Sequence, residues 1–157
     1  MLVAFTVEAG VRVFGSDSNS LLLIRRGHQI FVNGTRDDPV IFTSRENIEG
    51  STTSSSSGSW GGVVVLGQAP IANCNTGGPN NPGGTRTDCE NASGSFPTAL
   101  YGGNQPNDYS GSIRYVQIRY AGNGGPSDGL ALSGVGSATV VENVQISDSA
   151  RDGIELN

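Results

Sequence analysis

Apolar triplets and quartets recur along the chain as Leu22-Leu23-Ile24, Val40-Ile41-Phe42, Val63-Val64-Val65-Leu66, Val116-Gln117-Ile118 and Val144-Gln145-Ile146, each closed within a few residues by Gly, Asn, Asp or Ser. Short β-branched runs bounded by turn residues read as strands. Their self-similarity points to stacked units, each burying its apolar face only against its neighbours. Over the first third of the chain, strands are predicted at 5–7, 11–14, 21–24, 29–32 and 40–43, with breaks such as Ala9-Gly10, Arg26-Gly27 and Asp37-Asp38-Pro39. Val13 and Phe31 lie 18 positions apart, and Leu22 and Ile41 lie 19 apart. Those intervals are too long for hairpin partners and suit a coil that returns above itself. Asn33-Gly34 is a hairpin signal, but residues 35–39 lengthen the connection and Pro39 opens the next strand. A corner of a coil is the reading, with a hairpin as the alternative.

Regular patterning resumes at Ser112. Tyr115-Val116-Gln117-Ile118 and Gly129-Leu130-Ala131-Leu132 are echoed by Asn143-Val144-Gln145-Ile146 and Gly153-Ile154-Glu155-Leu156, at offsets of 28 (116 to 144) and 24 (130 to 154). Alternation sets Val116, Ile118 and Tyr120 on one face and Gln117 and Arg119 on the other. Strands that share a direction and return every 20 to 28 residues or so, with no amphipathic helix between them, are not βαβ units. A parallel β-helix satisfies the pattern. Five or six coils would stand roughly 25 Å tall at the usual rung spacing.

The expected organisation is one β-helix domain over residues 1–157, interrupted by loop insertions at about 49–59 and 68–107. The first is a Ser/Thr/Gly tract that reads as exposed and unable to pack. The second is long enough to be functional or disordered. It carries both cysteines, Cys74 and Cys89. If they pair, they close a loop of about 15 residues, worth roughly 3 kcal/mol in the chain-entropy model; the alternative is two free thiols. A metal at this pair would want more Cys or His ligands than the neighbourhood supplies.

Composition sharpens this picture. Glycine numbers 24 of 157 and charged residues make up only 15%, a balance that favours turns and short strands over helices. There is no lysine, and the net charge of −5 disfavours nucleic acid or an anionic membrane as partners. No apolar run approaches the ~18 residues that cross a bilayer, so membrane insertion is not expected. The first residues, Met1-Leu2-Val3-Ala4-Phe5, lack the features of a signal peptide.

The run from Phe5 to Val13, Gly34-Thr35 with Pro39-Val40-Ile41-Phe42-Thr43-Ser44, Trp60-Gly61-Gly62-Val63, Tyr101-Gly102-Gly103, Ile113 to Gly122 and Asp152-Gly153-Ile154-Glu155 resembles bacterial right-handed parallel β-helix repeat proteins of the pectate-lyase-like superfamily. The resemblance covers nearly the whole chain. It implies an all-β, single-stranded right-handed parallel β-helix with long loop insertions, in the extracellular space or the cell envelope. It implies fold more than function, since folds host many activities. The chain starts directly on a strand and stops at Leu156-Asn157, where the pattern would continue. Coils left open would stack on a second copy, as a homodimer or end to end.

Enzymes of this fold place acidic residues, often with calcium, and a basic residue on an outer face. The nearest match is Asp148, Arg151, Asp152 and Glu155. Arginine is a poor base and no lysine can replace it, so turn-forming aspartates and a solvated arginine are the expected roles. Asp108 and Asp128, with Asn104, Asn107 and Asn123 near them in sequence, could form an oxygen-rich calcium site without following a regular calcium-loop spacing; no other cofactor is indicated. Tyr115 and Arg119 could stack against sugar rings if they share a face, although Tyr120 is expected in the core and Tyr115 beneath a loop. His28 is the only histidine, and a triad built on it is not expected. Gly134-Val135-Gly136 lacks the third glycine and the following helix of a dinucleotide motif. The function expected from these residues is a non-catalytic scaffold or binding module, self-associating and presenting its loops to a polysaccharide or a protein. The alternative is a polysaccharide lyase or glycoside hydrolase.

Overall fold

A computed structural model describes residues 2–72, 83, 88–94, 96–123 and 128–157. The chain winds as a parallel β-helix of four coils with three sheet faces. The first coil is β1 (Ala4–Val7), β2 (Arg12–Gly15) and β3 (Leu22–Ile24). The second is β4 (Gln29–Asn33), β5 (Val40–Ser44), a helical turn α1 (Arg45–Glu49) and β6 (Val63–Leu66). Two strands outside the coil follow, β7 (Asn91–Ser93) and β8 (Phe96–Tyr101). The third coil is β9 (Gly111–Arg119) and β10 (Leu130–Ser133), and the fourth is β11 (Val140–Ser147) and β12 (Ile154–Leu156).

β9 and β11 each supply two faces. β4 pairs with the first half of β9 and β5 with the second half, all in parallel. The bend falls at Tyr115, which the β9–β11 register skips together with Asn143. Both residues are left-handed, with φ of 49° and 55°. Four rungs span about 15 Å at the usual spacing, so the stack is shorter than the five or six coils anticipated.

Side-chain alternation fills the interior with four-deep rows. Val7–Val32–Ile113–Val141 is one such row. Val13–Phe42–Ile118–Ile146 is the second. Leu22–Val63–Leu130–Ile154 is the third. All these side chains except Ile154 belong to, or pack against, one continuous core. In the last rung, Ile154 and Leu156 stand 46% and 74% exposed.

The offsets of 28 and 24 between the last two coils are as read from the sequence. The intervals of 18 and 19 are not: Val13 lies on Phe42, Phe31 on Thr6, and Leu22 on Val63. The same apolar triplet serves all three faces, so the distance to the next triplet measures the step to another face and not to the next coil. Residues 34–39 form a corner, with Gly34 N–H donating to the Arg114 carbonyl at 2.9 Å and β4 and β5 pairing with β9 instead of with each other.

Both insertions pack more than composition suggested. The first opens with α1, capped by the Ser44 hydroxyl accepting from Asn47 N–H and ended by left-handed Gly50. Its far end docks where Gly58 lies against Ala150 and Asn123 and Ser59 N–H donates to the Tyr120 carbonyl at 2.7 Å. Trp60 is then buried, its indole N–H on the Arg119 carbonyl at 2.8 Å. The second insertion contains the antiparallel pair β7–β8. Cys89 within it is fully buried and disulfide-bonded; Cys74 lies outside the described residues. No helix among the described residues is long and apolar enough to cross a membrane.

Candidate functional site

The outer surface of the β3–β6–β10–β12 sheet carries the row Leu23–Val64–Ala131–Glu155, in register from coil to coil. A second outward row pairs Leu66 with Ser133. The β7–β8 insertion closes over the apolar part. Val64, Leu66, Ala99 and Ala131 form a separate buried cluster, packed by Leu21, Leu23 and Tyr101. Arg26 pins the insertion down, donating to the Gly102 carbonyl at 3.1 Å and pairing with Glu90.

The cover ends at the last rung, where a groove of about 200 Å³ opens beside Glu155, lined also by Asp128, Arg151, Ser133, Tyr101 and Asn157. Asp128, just before β10, is 4% exposed; its Oδ1 accepts the Asp152 N–H at 3.2 Å and faces Arg151 Nε at 3.6 Å. The Glu155 carboxyl is pushed above its ordinary value of 4.5, chiefly by its hydrogen bond with Asp128 and then by burial. Asp128's charge adds to the rise, while Asn157 and Arg151 oppose it. The groove therefore holds two carboxyl groups in contact, with an arginine on the buried one.

Of the four residues grouped by sequence, Arg151 and Glu155 meet here. Asp152 contributes its backbone N–H, and its side chain is exposed. Asp148 is an exposed left-handed corner residue at φ 54°, one coil on from Tyr120 at φ 58°. Asp108 and Asp128 do not converge. A Cβ on Gly67 would meet Asp108 Oδ2, whereas a Cβ on Gly62 would meet the Asp128 carbonyl. They thus sit beyond opposite ends of β6, about 16 Å apart along an extended strand. Asp108 Oδ2 accepts from the Ser110 hydroxyl at 2.7 Å. Among the described residues no three His, Cys, Asp or Glu side chains gather as a metal site. His28 Nδ1 accepts the Val3 N–H at 3.2 Å beside β1.

Tyr115 and Arg119 do not act together. Tyr115 is 37% exposed at its corner, not covered by a loop, and lines a separate cleft with residues of the 34–39 corner. Arg119 donates to Gln117 Oε1, and Tyr120 is a half-buried corner residue, not a core one.

The sealed outer face was missed at the sequence level, yet it had a signal. Val63-Val64-Val65-Leu66 and Leu130-Ala131-Leu132 are continuous apolar runs, the mark of strands covered on both sides. Asp128's place beside Glu155, 27 positions away, had none.

Parallel coils in register, three faces and an in-facing aliphatic ladder agree with the sequence model of the pectate-lyase-like beta helix domain, which matches residues 3–156. The chain belongs to this pectate-lyase-like beta helix family. No curated protein and no solved structure matches it. Within this pectate-lyase-like chain, the Asp128–Glu155 groove is the arrangement nearest to an acid site. In it the Glu155 carboxyl is raised chiefly through Asp128, and Arg151 Nε faces Asp128 Oδ1 at 3.6 Å.

Proposed function

We propose that this pectate-lyase-like β-helix is a non-catalytic scaffold that presents surface loops to a polysaccharide or a protein, in an extracellular or cell-envelope setting. One observation carries the reading. The outer face of β3, β6 and β10 carries an apolar seam that packs under the β7–β8 insertion, so that part of the face is not open to a polymer.

The rival reading, a polysaccharide lyase or glycoside hydrolase, draws on the Asp128, Arg151 and Glu155 groove. The Arg151–Asp128 ion pair argues against it, since it engages one of the two acids. Incubation with acidic and neutral polysaccharides, with and without calcium, is expected to yield neither unsaturated products nor new reducing ends. Turnover that disappears in Glu155→Gln would replace the scaffold reading with the enzymatic one.

A further inference from the structure

Where the apolar cover stops, the groove carries a surplus of negative charge. Two carboxyl groups, those of Asp128 and Glu155, line it against one guanidinium, that of Arg151. Asp128 is buried, its Oδ1 already accepting the Asp152 N–H at 3.2 Å and facing Arg151 Nε at 3.6 Å. The Arg151 side chain itself is exposed. The Glu155 carboxyl rises above its ordinary value, chiefly through its hydrogen bond with Asp128 and then through burial, as an acid does beside another acid. With both acids ionised, two negative groups against one positive leave a single negative charge, which a monovalent cation balances.

The β7–β8 insertion supplies the other wall, and with it a second, independent feature. Ser93 lines the groove and is 4% exposed, yet its hydroxyl has no hydrogen-bond partner among the described residues. Buried hydroxyls are ordinarily paired. Ser133, on β10 in the same groove, is engaged by the Asn157 carboxamide at 3.4 Å. The β7–β8 register breaks between Ala92 and Ser93, an irregularity of the kind that re-aims a side chain. Tyr101, on β8, borders both this groove and a second cleft of about 180 Å³ lined by Ile71, Ala72 and Leu156. An acidic groove and a more apolar cleft thus adjoin at Tyr101.

We infer that this groove binds a primary ammonium group carried on a short apolar chain, with Asp128, Glu155 and Ser93 as its acceptors and the chain laid past Tyr101. An ammonium has three donors and no acceptor, which matches two carboxylates and a hydroxyl. An apolar wall beside a few placed polar groups is the usual build of a small-ligand site. A calcium ion fits less well: it takes about six to eight oxygen ligands, no three acidic side chains gather among the described residues, and its second charge overshoots the surplus. The chain has no lysine, so no side chain of a second copy supplies the group. Its source is a free amine or a lysine of another protein. This inference goes beyond the scaffold reading and does not depend on it.

Calorimetric titration at neutral pH with hexylamine and with a lysine residue capped at both ends tests it, with hexanol, hexyltrimethylammonium and calcium chloride as comparators. At least one of the two amines is expected to bind, and the tighter of them names the source. Each comparator is expected to bind roughly tenfold more weakly or worse, lacking the charge, the N–H donors or the apolar chain. Glu155→Gln is expected to weaken amine binding roughly tenfold, the scale of one charge-assisted hydrogen bond. Ser93→Ala is expected to weaken it roughly fivefold, the scale of a neutral one, while the melting temperature holds or rises, since the hydroxyl has no partner to lose. Absence of binding by both amines would overturn the inference, as would equal binding of hexanol or hexyltrimethylammonium, tighter binding of calcium, or normal amine binding by Glu155→Gln. A Ser93→Ala variant that melts earlier and binds normally would do the same. None of these outcomes bears on the scaffold reading, which falls on product formation alone.

Discussion

The outer seam and the Tyr115 corner are both outward-facing parts of the same coil, and they are built in opposite ways. At the seam, Val64, Leu66, Ala99 and Ala131 are excluded from water by an insertion that returns from residues 68–107. At the corner, a mixed set of polar and apolar residues borders an open cleft beside the left-handed Tyr115. The seam contributes stability through apolar burial. The corner holds Tyr115 in a left-handed conformation that costs some stability. In a solenoid, outward positions are thus not equivalent: what folds back over them decides whether they hold the structure together or face a partner.

The sharpest way to break this contrast is to place a charge in the seam. Ala131→Glu would continue the Glu155 carboxylate one rung inward, at a position 1% exposed, and an unpaired buried charge is expected to cost about 3 kcal/mol or more. Urea melts of the two proteins measure it; an unchanged midpoint would mean that the insertion does not seal the face. Next in size is Gly34→Ala at the corner. A Cβ there would run into the Tyr115 carbonyl oxygen and the Val40 backbone nitrogen, for an expected loss of about 1–3 kcal/mol, read in the same melts.

Glu155, where the seam ends, gives a pH test. Its carboxyl is raised by the hydrogen bond with Asp128, so the folded state favours the protonated acid. The stabilisation is fully present below its ordinary value of 4.5 and is lost as pH rises through the raised folded value. Glu155→Gln keeps a donor toward Asp128 at every pH. Its melting temperature is expected to match that of the parent protein in acid and to exceed it increasingly as pH rises; a constant difference across pH would remove the shared proton from the account. The smallest effect is expected for Gln145→Ala, within about 0.5 kcal/mol because the side chain is exposed, and any larger loss would make the corner structural.

Legibility followed the same division. β1 to β5 were readable to within a residue or two at their ends, because each is an apolar run closed by a turn. The repeat joining β9 to β11 was readable because only 28 positions separate Val116 from Val144. The register between the earlier coils was not: from the first coil to the second the same apolar triplet serves every face, and beyond it long insertions intervene, so that Val63 stacks on Leu130, 67 positions on, and Ile30 on Gly111, 81 positions on. At the groove, Arg151 and Glu155 were legible as neighbours in sequence. Asp128 was not, because nothing local ties it to them.

The sequence by itself determined the short strands of the coil and most of the turns that close them, because alternation and turn chemistry act over a few residues and do not depend on what lies far away. Only the tertiary structure decided which outward rows were sealed, that Asp128 and Glu155 would share a hydrogen bond, and that Tyr115 would stand strained and exposed beside two glutamines. Each of those outcomes depends on how far the insertions carry the chain before it returns, and insertion length fixes neither a docking face nor a register.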